Sequence, residues 1–291
     1  MVKKVVIPAA GLGTRLLPAT KETPKEMLPI FVQNKKNEIC LKPMLQAIFE
    51  QLYDIGLREF YFIVGRGKRA ITDHFLPDQS FLDSLKKINK HEIADELEDF
   101  YKKVESSAIV FVNQPQPKGF GDAVLRVKSL IDEDFLVFAG DTYIVSLKRN
   151  FITSLIEAHK HLRAEASFVV AKVENPRQYG VMEGERIEED LYNVLKVVEK
   201  PKKPQSNLAI MPVYLFNTKI FKALESTQLG HGGEIQLTDG IQKLVDRGSK
   251  VIAMKLDDED LRFDIGNPES CWEAMSMSYK YFKNLRNPSP R

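Results

Sequence analysis

The sequence predicts an α/β fold built on a largely parallel sheet, and two patterns predict it. Short runs of apolar and β-branched residues recur at positions 5–7, 60–64, 109–112, 135–138 and 168–170, each reading as a strand buried on both faces. Helix-like stretches separate the first four, notably 44–54 and 123–131, which is the alternation of parallel crossovers. In such a sheet, ligands collect outside the carboxyl ends of the strands.

From about residue 165 strand candidates crowd together at 179–183, 194–199, 208–216 and 251–256 with fewer helices between, so mixed or antiparallel pairing is expected there. The segment 81–105 is charged and helix-permissive, with Ile88, Ile93, Leu97, Phe100 and Val104 at roughly helical spacing, and reads as a lid or an oligomer contact. No internal repeat or low-complexity tract interrupts the chain, and residues 287–291 form a short proline-bearing tail.

The 291 residues can bury a substantial core, and 43% hydrophobic with 28% charged residues is an ordinary globular mixture. Lys and Arg number 42 against 40 Asp and Glu, a net charge of +2 that gives no reason to expect nucleic-acid or polybasic membrane binding. Any anion site is therefore local. Cys40 and Cys271 lie in unrelated segments with no metal-ligand spacing and read as reduced packing residues. The apolar stretch after Lys3 and Lys4 ends at Pro8, too brief for a signal-peptide core, and no run approaches the roughly 20 apolar residues of a membrane span. A soluble, cytoplasmic protein is expected.

The first strand runs into Ala10-Gly11-Leu12-Gly13-Thr14-Arg15, followed by Pro24-Lys25-Glu26-Met27-Leu28-Pro29. Two glycines let backbone amides approach a polyanion, and Arg15 and Lys25 can neutralise charge the amides cannot. A dinucleotide fingerprint would need a third glycine where Leu16 stands, and a Walker A ending is absent. Gly65-Arg66-Gly67-Lys68 lacks the Walker spacing and reads as a turn opening a helix. A bare Gly-x-Gly would also suit a plain strand-to-helix turn.

The longer pattern is more specific. Residues 10–21 together with the run from Pro24 to Pro29 resemble the signature of bacterial and archaeal UTP:glucose-1-phosphate uridylyltransferases, within the sugar-phosphate nucleotidyltransferase family; related thymidylyltransferases carry a Gly-Gly-x-Gly version. The resemblance implies a Rossmann-like three-layer sandwich with a mostly parallel mixed sheet and a smaller β-rich sugar-binding part. It implies one domain over residues 1–286, with a nucleotide-binding half at about 1–145 and a sugar-phosphate half at about 146–286.

Later motifs extend the likeness along the chain. A side-chain amide offers a pyrimidine edge both donor and acceptor, and in the segment from Asn113 to Ala123 the residues Gln114 and Gly119 resemble the family's uracil readers. Asp141 ends the run 135–138 through Ala139 and Gly140, where a carboxylate suits a hard cation such as Mg²⁺. Its partner, by resemblance alone, is Asp264 in Arg262-Phe263-Asp264-Ile265-Gly266. Gly180, Glu199, Lys200 and Glu234 resemble the sugar-phosphate contacts, the carboxylates accepting from hydroxyls and Lys200 facing phosphate. Ser206 to Ile210 extends the match, whereas the segment 31–41 is longer than bacterial members usually have.

The implied reaction joins UTP and glucose 1-phosphate into UDP-glucose and pyrophosphate in a Mg²⁺-dependent homo-oligomer, dimer or tetramer. Three alternatives stand beside it: use of dTTP, a non-catalytic regulatory paralogue, and a nicotinamide-dependent oxidoreductase resting only on the glycine turn. None of the five histidines falls in a metal or triad pattern.

Overall fold

Strand formation follows the β-branched runs. The computed structural model describes residues 2–286, so the tail at 287–291 lies outside them. β1 (Lys4–Pro8) buries Val5, Val6 and Ile7 completely and hands the glycine-rich loop off its carboxyl end. Two single 3₁₀ turns, Thr14–Leu16 and Lys25–Met27, lead to a hairpin of β2 (Pro29–Gln33) and β3 (Ile39–Pro43). This hairpin accounts for the long 31–41 segment. Asn34 closes its turn, Oδ1 accepting from the amides of Lys36 and Glu38 at 2.9 and 2.8 Å.

α1 (Met44–Asp54) has the predicted bounds and is followed by β4 (Glu59–Val64) and α2 (Arg69–His74). The 81–105 segment is two helices, α3 (Gln79–Lys87) and α4 (His91–Glu105). They separate around Asn89, whose φ of 58° is a left-handed conformation that asparagine tolerates. The break shifts the buried face. Ile88 and Ile93 are exposed, while Leu82, Ala94, Phe100, Tyr101 and Val104 are buried. Phe100 packs edge-on against Phe49 and Phe75 at 6.0 and 5.6 Å, which makes α4 a piece of the core.

Two further expectations need correction. β5 (Ala108–Asn113) is an edge strand, with Ala108, Val110 and Asn113 exposed, because no strand covers its outer side. The helix expected at 123–131 is α5 (Phe120–Leu125), which starts earlier from Gly119 and gives way to turns.

β6 (Phe135–Phe138), β7 (Thr142–Val145), α6 (Phe151–His161) and β8 (Ala166–Lys172) follow. Asn150 caps α6 by accepting from the Ile152 and Thr153 amides at 3.0 and 3.2 Å. Then come β9 (Gly180–Arg186), β10 (Leu191–Glu199), β11 (Leu208–Phe216), α7 (Lys219–Glu225), α8 (Leu237–Asp246), β12 (Val251–Lys255), β13 (Leu261–Asp264) and α9 (Pro268–Arg286).

The main sheet runs β5-β4-β1-β6-β11-β8-β12-β10-β9. β5, β4, β1 and β6 are mutually parallel; antiparallel pairing begins where β11 meets β6, and β8 with β12 is the one later parallel pair among the described residues. Helices cover both faces, giving three layers. Alternation along each strand feeds two cores: Val5, Ile7, Phe60 and Phe62 pack with α1 and α4, whereas Val6, Tyr61 and Ile63 pack with α5, α7 and α8. Cys40 and Cys271 are free thiols half-buried against the first core, and burial pushes both up in pKa.

Candidate active site

A cleft of about 590 Å³ opens at the carboxyl ends of β1 and β6 and reaches across to β9, β10 and the start of α8. Of the residues singled out from sequence, Ala10, Gly11, Gly13, Thr14, Lys25, Gln114, Gly119, Asp141, Gly180, Glu199, Lys200, Glu234 and Asp264 line it. Arg15 does not; it is exposed, in the single turn that Gly13 opens. The glycine loop is held from within, since Thr20 Oγ1 donates to the Gly13 carbonyl at 2.8 Å.

The two carboxylates converge because β7 and β13 pair antiparallel, with Thr142 opposite Asp264. The Ile265 amide also donates to the Asp141 carbonyl at 3.0 Å. Thr142 Oγ1 lies 3.4 Å from Asp141 Oδ1 and 3.2 Å from Asp264 Oδ1, so one hydroxyl reaches both carboxylates. Lys25 Nζ pairs with Asp141 Oδ2. Asp141, Glu26 and Asp264 together hold the Lys25 ammonium above its ordinary pKa despite burial. Burial pushes the Asp264 carboxyl up, and the neighbouring Asp141 charge pushes it further.

This donor set fits a divalent cation. Both carboxylates offer hard oxygens, and a dication between them would relieve the repulsion from Asp141 that adds to burial in raising Asp264. Among the described residues no group of three or more His, Cys, Asp or Glu side chains comes together in a way that could hold a metal ion.

Beneath Lys25 lies an ion pair that sequence reasoning missed. Glu26, 1% exposed, accepts from the buried Lys68 Nζ at 2.8 Å; burial raises the Glu26 pKa, with Lys68 opposing the shift. Gly65 to Lys68 is a turn opening α2, as expected, but Lys68 also anchors the signature loop. An acidic residue between Lys25 and the apolar Met27 and Leu28 was the only clue.

On one wall of the cleft, Gln114 follows β5 and Gly119 opens α5. Gly119 has φ 107°, and a Cβ there would lie 2.7 Å from the Ile235 carbonyl oxygen, so only glycine fits. The loop carrying Glu234 is stitched to this turn: the Ile235 amide donates to Lys118 O at 2.8 Å and the Gly121 amide to Ile235 O at 2.9 Å. Glu234 thus sits in the exposed loop ahead of α8.

On the opposite wall, Thr238 Oγ1 donates to Glu199 Oε2 at 2.8 Å, and a Cβ on Gly180 would meet those two oxygens at 3.0 and 3.1 Å. Lys200, which lines the cleft, takes φ 42°, a strained backbone for lysine. Gln236, Thr238 and Arg262 line the site without having been singled out from sequence; Arg262 Nη2 donates to Tyr179 Oη at 2.9 Å.

A cleft at the carboxyl ends of a mixed sheet, with a glycine loop, two lysines and paired carboxylates, is the arrangement of a phosphotransfer enzyme acting on a nucleotide. Residues 4–280 match the nucleotidyl transferase family, and the chain belongs to that family. A UTP–glucose-1-phosphate uridylyltransferase of Pseudomonas aeruginosa is 38% identical over 290 residues, covering 97% of this chain and 98% of that protein. One from Bacillus subtilis is 39% identical over 268 residues, covering 91% and 87%. A crystal structure of UDP-glucose pyrophosphorylase complexed with UDP-glucose superimposes with a TM-score of 0.81 at 31% identity, covering 97% of this chain and all of that one. The fold is therefore that of nucleotide-diphospho-sugar transferases.

Proposed function

We propose that this chain transfers a uridylyl group from UTP to glucose 1-phosphate, forming UDP-glucose and releasing pyrophosphate. The observation that carries the reading is the Asp141–Thr142–Asp264 cluster with Lys25, set between the glycine loop and the wall of Glu199 and Lys200. The names of relatives spanning over nine tenths of the chain supply the nucleotide and the sugar.

The substrate phosphate is already an anionic nucleophile, so no protein nucleophile is needed. Its oxygen attacks the α-phosphorus of UTP, the bond to the β-phosphate oxygen breaks, and pyrophosphate leaves in line. Amides at Gly11 to Thr14 cradle the triphosphate. Lys25 and Arg15 offset charge on the nucleotide, and Lys200 orients the incoming phosphate. Gly180, Glu199 and Glu234 hold glucose hydroxyls, and Gln114 and Gly119 read the base. Mg²⁺, held by Asp141 and Asp264, would supply Lewis-acid neutralisation of the phosphates. In this reading residues 1–286 act as one unit, nucleotide half about 1–145 and sugar half about 146–286, in a cytoplasmic homo-oligomer. Among the described residues no helix is long and apolar enough to cross a membrane.

Pyrophosphate release with glucose 1-phosphate, measured across UTP, dTTP, CTP, ATP and GTP with and without Mg²⁺, tests the assignment. UTP should lead and metal should be required; release that is equal across bases or indifferent to divalent cations contradicts it.

A further inference from the structure

Gln114 is 5% exposed, and one end of its amide is fixed. Nε2 donates to Asp122 Oδ2 at 2.7 Å and to the Gly119 carbonyl at 3.1 Å. A carboxylate and a carbonyl both accept, so this end must be the NH₂ group. Asp122 is itself 2% exposed and is gripped by Arg126, whose Nε donates to Oδ2 at 3.2 Å while Nη2 bonds Oδ1. Among the described residues no donor reaches Gln114 Oε1, on a side chain that lines the cleft.

We propose that Asp122, clamped by Arg126, is the positioning residue that decides which end of the Gln114 amide meets the nucleobase. With one N–H bonded to the buried Asp122 carboxylate and the other to the Gly119 carbonyl, Gln114 presents an acceptor; of the two partners, Asp122 is the charged one and the stronger. An acceptor pairs with the imide N3–H of uracil and faces the lone pair of N3 in cytosine, so this clamp sets UTP over CTP. Asp122 touches neither base nor phosphate and acts through Gln114. The inference rests on Gln114 being the base reader.

The clamp makes a prediction a merely structural carboxylate would not. Asn at position 122 keeps the volume but offers a donor as well as an acceptor, so the amide of Gln114 can turn over. Calorimetric binding of UTP and CTP with Mg²⁺, paired with kcat/KM for each, reads the outcome. Asp122→Asn should lower the UTP:CTP ratio about tenfold, the scale of one hydrogen bond changed in sign. Gln114→Ala should lower it comparably, and the double variant should lose no more than Gln114→Ala alone, since both changes act through one contact.

A folded Asp122→Asn protein with the wild-type ratio overturns the proposal, as does additive loss in the double variant. Should Asp122→Asn fail to fold, Arg126→Gln, at the outer edge of the clamp, should lower the same ratio by a smaller factor, and an unchanged ratio overturns the proposal equally. Wild-type protein that binds UTP and CTP alike removes Gln114 as reader and this proposal with it, whereas a retained ratio in Asp122→Asn removes the clamp alone.

Discussion

Thr142 places one hydroxyl within reach of two carboxylates, and Lys25 supplies the cation that Asp141 faces. If Asp141 and Asp264 hold the metal as proposed, Thr142→Val leaves both carboxylates in place but unoriented, so the Mg²⁺ concentration for half-maximal turnover should rise about tenfold, the usual scale for a group behind a ligand. A metal titration of turnover checks this; an unchanged half-point argues that Asp141 and Asp264 are positioned by the backbone alone. Lys200→Ala should raise KM for glucose 1-phosphate about 10- to 100-fold, the scale of a lost charge-assisted hydrogen bond, with KM for UTP nearly unmoved. Equal rises in both constants would move Lys200 out of the sugar-phosphate wall. The individual residues were legible from sequence to the extent that they sit in distinctive local strings. Asp141 announced itself by ending a strand, but its neighbourhood to Asp264, 123 positions on, is a product of β7–β13 pairing and came only through family resemblance. Thr238 and Gln236 look like ordinary residues at a helix start, and nothing local tells that Thr238 donates to Glu199.

At the scale of elements, the loops matter more than the strands. The turn at Gly119 and the segment at Glu234 and Ile235 interlock through two backbone hydrogen bonds, so the proposed base and sugar walls are tied to each other. Gly119→Ala forces a positive-φ side chain into the Ile235 carbonyl; it should cost about 1–3 kcal/mol and raise KM for nucleotide and sugar phosphate together. Thermal melting with steady-state kinetics tests both parts, and a wild-type melting temperature would contradict the packing. α4 makes the converse case. Phe100 is seated among Phe49, Phe75 and the His74 ring, so Phe100→Ala should destabilise by about 3–5 kcal/mol while turnover per folded molecule persists. A loss of turnover without loss of stability would restore the reading of this segment as a moving lid. Helical periodicity predicted the α3–α4 region in kind, but it missed the break at Asn89 because a single residue in a left-handed conformation resets the buried face without changing composition. The β2–β3 hairpin escaped because its strands are only half-buried and their apolar pattern is short.

For the whole molecule, one sheet carries both walls of the cleft: parallel strands lead to the glycine loop and Asp141, and the antiparallel continuation through β11, β9 and β10 brings Gly180, Glu199 and Lys200 to face them. In the proposed reaction catalysis is alignment plus charge compensation, the latter from Lys25, Lys200 and the divalent cation that the carboxylate pair would hold. The decisive measurement is UDP-glucose formation from UTP and glucose 1-phosphate at saturating Mg²⁺ by the wild-type protein, Asp141→Asn and Asp264→Asn, with melting curves taken alongside. We predict UDP-glucose and pyrophosphate in equal amounts from the wild type and a loss of about 100-fold or more in each folded variant. Turnover within a few-fold of wild type in either variant would contradict the account.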